Sequence, residues 1–179
     1  MGEHQWFHVT FSTYGTWLRG DKRGFRDHDH RIHSSGNYKT PPPEREHALL
    51  RDWTRRVMHK PPVHLSKQQR QRAGETIVEN LKSKQVDLLA IAVMSDHAHL
   101  LANFPVNTAR AMIGVAKSDS SRSIGAQIPG TVWAKKCLLT RMRDKDHHIN
   151  TFRYIVNHRS QDAWVWTFRD PPPVCSMFT

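Results

Sequence analysis

The feature that most constrains the fold is a nine-residue, largely apolar run in the middle of the chain. It reads Val-Asp-Leu-Leu-Ala-Ile-Ala-Val-Met over residues 86–94. A short run with branched side chains is typical of a strand at the centre of a sheet. Ser95 and Asp96 then predict a tight turn, after which residues 97–104 return as the partner strand. The sequence therefore predicts an antiparallel hairpin at mid-chain.

The segments on either side of this hairpin predict an α+β protein. Residues 6–14 alternate between apolar and polar side chains, which is the two-residue period of a strand. Ser66, with Gln69 three residues later, predicts the start of a helix through a capping box. Helices are expected at residues 44–58, 66–84, 107–124 and 146–160, and an extended, bent segment at 131–142. This order is that of a ferredoxin-like split βαβ fold with an antiparallel sheet and a terminal helix.

The length of the chain predicts a single domain. Its 179 residues suit one hydrophobic core, so one domain is expected over residues 1–179. Two segments are predicted to be irregular. Residues 15–43 are polar, basic and rich in turn-forming residues, which predicts a long basic loop. Residues 162–179 contain three consecutive prolines and predict an irregular tail.

The charge of the chain favours an anionic partner. It has 27 Lys and Arg against 16 Asp and Glu, a formal net charge of +11. Such a balance favours nucleic acid or an acidic membrane surface. The sequence has no run of about 18 apolar residues, and its first residues lack a basic leader and an apolar run. Neither a membrane span nor a signal peptide is therefore expected. Two distant cysteines, Cys137 and Cys175, indicate reduced thiols and offer no zinc site. A cytoplasmic protein associated with nucleoid DNA is the expectation.

The first group of residues that can carry chemistry is a pair of histidines on the returning strand. His97 and His99 are separated by Ala98, so their side chains share one face of the strand while Ala98 and Leu100 face the core. Two imidazoles at that spacing can converge on one divalent ion, together with a third group. The alternative is a pair of partly exposed histidines with a structural role.

The second group lies on the last helix. At about 100° per residue, an apolar side forms from Ile149, Phe152, Ile155 and Val156. Tyr154 falls on the opposite side, so its hydroxyl is expected to face water, a partner or a site. His158, one turn later, lies beside it. The alternative is an ordinary amphipathic surface helix.

Taken together, the two groups indicate a reaction on DNA. A metal held by the two histidines and a third group would polarise a phosphate, and the phenolate of Tyr154 would attack phosphorus. The covalent ester conserves the energy of the broken bond, which favours strand transfer over hydrolysis. Two other functions stay open at this point. One is a catalytically inactive or domesticated protein that binds single-stranded DNA, and the other is a metal-dependent nuclease that uses water.

Both groups lie in segments that resemble insertion-sequence-200-like transposases, including the REP-associated tyrosine transposases. Val-Met-Ser-Asp-His-Ala-His-Leu-Leu at 93–101 is similar to the HUH strand of that family. Phe-Arg-Tyr-Ile-Val-Asn-His at 152–158 is similar to its catalytic-tyrosine helix. The basic helix at 117–124, Gly-Thr-Val-Trp at 130–133 and the strand at 7–11 also resemble it. The resemblance extends over residues 6–161.

The resemblance implies an HUH endonuclease fold acting on single-stranded DNA, often a hairpin end. It implies Mg²⁺ or Mn²⁺, a covalent 5′-phosphotyrosine and a free 3′-hydroxyl. Carried over by position, His97 and His99 would be metal ligands and Tyr154 the nucleophile. The family often places Gln or Asn after the tyrosine as a further ligand. Here His158 is the predicted third ligand, with Asn157 and Gln161 as alternatives. Both a homodimer and a monomer occur among such relatives.

Basic residues near these segments are candidates for DNA binding. Each could neutralise a backbone phosphate, and each could equally be a solvated surface group. The candidates are Arg19, Lys22, Arg23, Arg26, Lys117, Arg122, Lys135 and Lys136. Trp17, Tyr38 and Trp133 could stack on unpaired bases, although Trp133 is expected in the core.

Overall fold

The computed structural model describes residues 3–21, 25–26, 32–33, 47–128 and 130–173. The chain forms two compact units. The main unit contains Met1–Thr13 and His64–Thr179, and the inserted unit contains Tyr14–Val63. The expectation of one domain over residues 1–179 stays a prediction.

Seven strands and four helices are found in the described part of the chain. In chain order they are β1 His4–Ser12, β2 Phe25–Arg26, β3 Ile32–His33, α1 Ala48–Arg56, α2 Lys67–Ser83, β4 Asp87–Val93, β5 His97–Pro105, α3 Ala109–Ser123, β6 Leu138–Arg141, α4 Lys145–Asn157 and β7 Trp164–Thr167. A short 3-10 helix, His158–Gln161, follows α4 directly.

The five longer strands, all in the main unit, form one sheet in the order β6-β1-β5-β4-β7. Every neighbouring pair is antiparallel. The first four strands in this order follow the ferredoxin-like arrangement, in which the first strand lies between the third and the fourth. The predicted fold class is therefore confirmed, and the predicted hairpin is β4 and β5, joined next to the pair Val93 and Ala98.

Helices cover both faces of this sheet. On one face α2 packs against β4 and α3, and its residues Ile77, Val78 and Leu81 are fully buried. The predicted capping box of α2, formed by Ser66 and Gln69, is present. On the other face α4 packs against β4 and β5. The C-terminal helix thus lies on the face of β5 opposite α2 and α3.

The packing of α4 depends on one large side chain and several small ones. Ile155 is completely buried in a cluster that contains Ala90, Ala92 and Leu101 of the sheet. Because an alanine adds only a methyl group, the helix packs over β4 without a bulky layer between them. This packing places Tyr154, on the exposed side of α4, close to the first residues of β5.

Two predicted irregular segments contain strands. The prediction of an irregular tail at 162–179 is wrong for Trp164–Thr167, which pairs with β4 as an edge strand. Its Trp-Val-Trp-Thr sequence has high strand propensity, which the prolines at 171–173 obscured. The predicted loop at 15–43 contains the short β2–β3 pair. Residues 22–24, 27–31 and 34–43 of that segment, and 174–179 of the tail, lie outside the described residues.

The first helix differs from its prediction in how its apolar side chains are placed. The expected helix at 44–58 is found as Ala48–Arg56. Leu49, Trp53 and Val57 have the spacing of an apolar stripe that packs against a core, yet Leu49 is 84% exposed and Trp53 and Val57 are about half exposed. Among the described residues, no helix is both long enough and apolar enough to span a membrane.

A pair of glycine substitutions tests the packing of β7 on α2. A Cβ atom added to Gly74 of α2 would overlap the Trp164 ring, whereas one added to Gly114 of α3 meets nothing within 4 Å. Gly114→Ala should raise the free energy of unfolding by about 0.5–1 kcal/mol, because alanine favours a helix. Gly74→Ala should instead lower it by about 1–3 kcal/mol through overpacking. Urea denaturation measures both, and equal stabilisation by the two variants would contradict this packing.

Candidate metal and tyrosine site

The start of β5 presents two histidines on the face that α4 covers. Alternation along the strand puts Ala98 and Leu100 on the opposite face, where both are fully buried. His97 and His99 therefore project together, and their ring centroids lie 5.0 Å apart. The predicted division of this strand into an apolar and a histidine-bearing face is confirmed.

The end of α4 brings a tyrosine and a third histidine to the same place. The helix begins at an N-cap, Asp144, whose side chain accepts a hydrogen bond from the main-chain N–H of His147. With Ile155 buried against the sheet, Tyr154 and His158 are directed towards β5. Their ring centroids each lie 5.2 Å from that of His99.

The three histidines predicted as metal ligands lie together. One ring nitrogen from each of His97, His99 and His158 lies within 4.8 Å of the corresponding nitrogens of the other two, so the group can hold a metal ion. His158 is buried, whereas the alternative ligands Asn157 and Gln161 are exposed. Of the three candidates for the third ligand, the structure thus places His158 in the cluster.

Two of these histidines have a hydrogen-bond acceptor at Nδ1. The Nδ1 atom of His97 lies 2.6 Å from a carboxylate oxygen of Asp96. The Nδ1 atom of His158 lies 2.9 Å from the main-chain carbonyl of Tyr154. Because a carboxylate and a carbonyl only accept, each Nδ1 must carry the hydrogen and donate it. In the neutral form of each ring Nε2 then keeps a lone pair, which is the form that binds a metal.

The third histidine is held from the neighbouring strand β1. Thr10 pairs directly with His99 across the sheet. Nδ1 of His99 lies 3.0 Å from Oγ1 of Thr10 and 2.9 Å from Nε2 of His8. Sequence analysis missed both contacts. The alternation of β1 puts His8 and Thr10 on one face, but the register that aligns them with His99 is not visible in the sequence.

Burial favours the uncharged form of His99 and of its neighbour His8. Burial lowers the pKa of His99 to about 2, and the neighbouring His8, His97 and His158 lower it further in the same direction. Burial also lowers the pKa of His8 to about 4, with smaller contributions from His147 and His158. A neutral imidazole has the lone pair that coordination requires, so the cluster is suited to a cation rather than an anion.

The tyrosine side chain lies beside the cluster and is about half exposed. The hydroxyl oxygen of Tyr154 lies 3.3 Å from Nε2 of His99 in the same chain. The residue is 49% exposed. The tyrosine side chain can therefore be reached from outside the protein, whereas His99 and His158 are buried. The histidine cluster and the tyrosine are both complete within one chain.

The sequence of the chain matches the model of a known protein family. A family model described as "Transposase IS200 like" matches residues 57–158, more than half of the chain. The chain belongs to the IS200-like transposase family. The matched segment of the transposase contains His97, His99, Tyr154 and His158. The predicted resemblance to this family is confirmed.

The solved structures that are similar to this chain include one of a transposase with bound DNA. It is that of a REP-associated tyrosine transposase bound to a REP hairpin, with a TM-score of 0.49 and 11% sequence identity. The alignment covers 88% of this chain and 68% of that chain. No curated protein matches this transposase significantly. The assignment to the family therefore rests on the family model.

Lys117 of the transposase does not have the placement expected of a DNA contact. The sequence suggested that it neutralises a phosphate, but the residue is buried. Its ammonium group donates hydrogen bonds to the main-chain carbonyls of Ala134, Lys135 and Lys136, at 2.6, 3.2 and 3.4 Å. The prediction that Lys117 binds a phosphate is wrong because helical spacing on α3 does not show that a loop will fold over the ammonium group. Lys117 holds that loop in place.

The other basic candidates have different placements. Lys135 and Lys136 are exposed on the loop that Lys117 holds. Arg122 is exposed and forms an ion pair with Asp119, and Arg19 is exposed in the inserted unit. The remaining candidates lie outside the residues whose side chains are described, namely Lys22, Arg23 and Arg26.

The three aromatic candidates for base stacking differ in their exposure to solvent. Trp133 is 2% exposed, and its indole N–H donates to the hydroxyl of Ser120 at 2.8 Å. It is therefore a core residue, as expected, and not a stacking platform. Trp17 is about half exposed in the inserted unit. Tyr38 lies outside the described residues.

Substitution of Lys117 tests its structural role. Lys117→Met should lower the free energy of unfolding by about 2 kcal/mol, because the carbonyls of the 134–136 loop lose a charged donor in a buried position. Lys136→Met is the matched control and should change stability by less than about 0.5 kcal/mol, since its side chain is exposed. Urea denaturation measures both values. Equal stability of the two variants would show that the buried ammonium group does not hold the loop.

Proposed function

We propose that this protein is a metal-dependent transposase that nicks single-stranded DNA, often at a hairpin, with Tyr154 as the nucleophile. The observation that carries the proposal is the 3.3 Å separation between the Tyr154 hydroxyl and Nε2 of His99 within a group of three histidines. Membership of the IS200-like transposase family supports the reaction class. The exposure of the tyrosine supports access by DNA.

His97, His99 and His158 would hold the divalent cation. When bound, the cation would polarise the scissile phosphate and offset the charge that develops on it. The three donors are imidazoles whose Nε2 atoms would face the cation while Nδ1 carries the hydrogen. Mg²⁺ prefers oxygen ligands, whereas first-row transition metals accept imidazole. We therefore favour Mn²⁺ over Mg²⁺ for this site.

The proposed step exchanges one phosphodiester bond for another. The Tyr154 oxygen attacks phosphorus, the bond from phosphorus to the 3′-oxygen breaks, and a 5′-phosphotyrosine forms. The phenol loses one proton, and the 3′-oxygen leaves as a hydroxyl with one proton. Since the energy of the bond is conserved, the reverse attack by a 3′-hydroxyl rejoins strands. This is the chemistry that strand transfer needs.

The proposed DNA contacts follow from exposed positive charge. The net charge of +11 favours a polyanionic partner. Lys135, Lys136 and Arg122 are the exposed candidates of the main unit, and Arg19 is that of the inserted unit. Neutralising phosphates with such residues makes binding weaker as salt rises. A cytoplasmic, nucleoid-associated location would follow from this substrate.

A covalent-adduct assay tests the proposal. The protein is incubated with Mn²⁺ and a hairpin-containing single strand labelled at its 3′ end, then separated on a denaturing gel. The labelled fragment should stay attached to the protein through its 5′-phosphate. Tyr154→Phe should abolish the adduct, because it lacks the nucleophilic oxygen. Tyr14→Phe, a tyrosine of the inserted unit, is the matched control and should retain it.

The same assay separates the alternative functions. Cleavage that survives in Tyr154→Phe would indicate a nuclease that uses water, and would overturn the proposal. Binding of the labelled strand by the unmodified protein, with neither adduct nor cleavage, would indicate an inactive DNA-binding protein. Replacing Mn²⁺ with Mg²⁺ should reduce the yield of adduct if imidazole donors set the preference for the cation.

A mixing experiment tests whether the tyrosine acts within its own chain. The Tyr154 hydroxyl lies beside His99 of the same chain, so each active site should draw on one chain. Tyr154→Phe and His99→Ala should each fail to form the adduct. A mixture of the two variants should fail as well, because neither chain has both groups. Restored adduct in the mixture would show that a dimer exchanges its catalytic helices.

A further inference from the structure

We propose that His8 and Thr10 are positioning residues that set the tautomer of His99 and aim its Nε2 at the metal. This inference rests on the proposed metal site. It concerns two side chains of β1 that the proposed reaction does not itself use. Both lie within hydrogen-bond distance of the same atom, Nδ1 of His99, at 2.9 Å for His8 and 3.0 Å for Thr10.

The position of one hydrogen on the His99 ring decides whether its Nε2 atom can bind a metal. A neutral imidazole carries one hydrogen, on either Nδ1 or Nε2. If His99 carries it on Nε2, that nitrogen donates towards Tyr154 and has no lone pair for a metal. If His99 carries it on Nδ1, the hydrogen needs an acceptor on β1, and Nε2 becomes free to coordinate. Nε2 of His8 and Oγ1 of Thr10 are the two acceptors placed to receive it.

The register between β1 and β5 places both His8 and Thr10 beside His99. Thr10 is paired directly with His99, and His8 lies two residues before Thr10 on the same face. The His8 ring lies 5.0 Å from the His99 ring and is tilted by 35°. It also lies 6.0 Å from the Tyr154 ring, edge to face. His8 thus contacts both the proposed metal ligand His99 and the proposed nucleophile Tyr154.

The three histidines differ in what holds them. Nδ1 of His97 is held by the carboxylate of Asp96, and Nδ1 of His158 by a main-chain carbonyl. Nδ1 of His99 is held by two neutral side chains that can also donate. Only one of the two is needed to accept the hydrogen. The two acceptors should therefore substitute for each other in part.

This partial redundancy predicts the pattern of a double-mutant cycle. His8→Phe keeps an aromatic ring but removes the nitrogen, and Thr10→Val keeps the branched shape but removes the hydroxyl. Loss of such outer partners typically weakens metal binding by about 10–100-fold. Each single variant should weaken Mn²⁺ binding by less than about 10-fold, because one acceptor remains. The double variant should weaken it by about 100-fold, more than the product of the single effects.

The experiment is a calorimetric titration of the full chain with Mn²⁺ in the absence of DNA. His4→Phe makes the same change at an exposed position of β1, and Thr140→Val makes the same isosteric change on β6. Both controls should bind Mn²⁺ as the unmodified protein does. His8→Gln and Thr10→Ser keep a hydrogen-bond acceptor that His8→Phe and Thr10→Val lack. They should therefore recover most of the Mn²⁺ affinity that those two variants lose. Thermal unfolding of every variant checks that altered binding does not reflect loss of the fold.

The outcomes separate this inference from the proposed function. If the double variant is folded and binds Mn²⁺ as tightly as the unmodified protein, while His97→Ala does not bind it, the positioning role is wrong and the metal site stands. If His8→Gln and Thr10→Ser fold but recover no affinity, an acceptor at Nδ1 is not what these residues provide. If the unmodified protein binds no Mn²⁺, the proposed metal site fails, and this inference fails with it.

Discussion

The antiparallel pairing of β1 with β5 is the interaction on which the site depends. It aligns Thr10 with His99, and Ser12 with His97, at the end of the hairpin. Because antiparallel partners project their side chains to the same face, the pairing brings the polar side of β1 against the histidine side of β5. A shift of one residue would turn one of these sides towards α2 and α3. The apolar side of β1, with Phe7, Val9 and Phe11 buried, opposes such a shift.

The second requirement is the docking of α4 on the same face. Ile155, the residue after Tyr154, is buried against the sheet. Because side-chain directions along a helix are fixed by its backbone, this packing also sets the direction of Tyr154 and His158. The Tyr154 main-chain carbonyl also accepts the Nδ1 hydrogen of His158. The helix therefore delivers the hydroxyl and the third histidine as one rigid element. Burial of the apolar side of α4 against the sheet therefore stabilises the position of Tyr154 and His158.

Periodicity was sufficient to predict most elements and part of the site. The alternation of His97, Ala98, His99 and Leu100 showed which side chains face the core, because the period of a strand is fixed by its backbone. The helical spacing from Tyr154 to His158 likewise put those residues on one face. The short strand β7 was missed, since four residues next to a proline-rich end give little periodic signal. The exposure of Leu49 in α1 was also missed, because amphipathic spacing does not specify what a face packs against.

The sequence by itself determined which side chains share a face: the two histidines of β5, Tyr154 of α4 with His158 directly after that helix, and His8 with Thr10 on β1. These relations are local, and backbone geometry alone sets them. Only the tertiary structure decided which of these faces meet, and therefore that His8 and Thr10 reach Nδ1 of His99. It also decided that the ammonium group of Lys117 is enclosed by a loop instead of facing solvent. Register and docking depend on contacts between residues far apart in the chain, which no local period specifies.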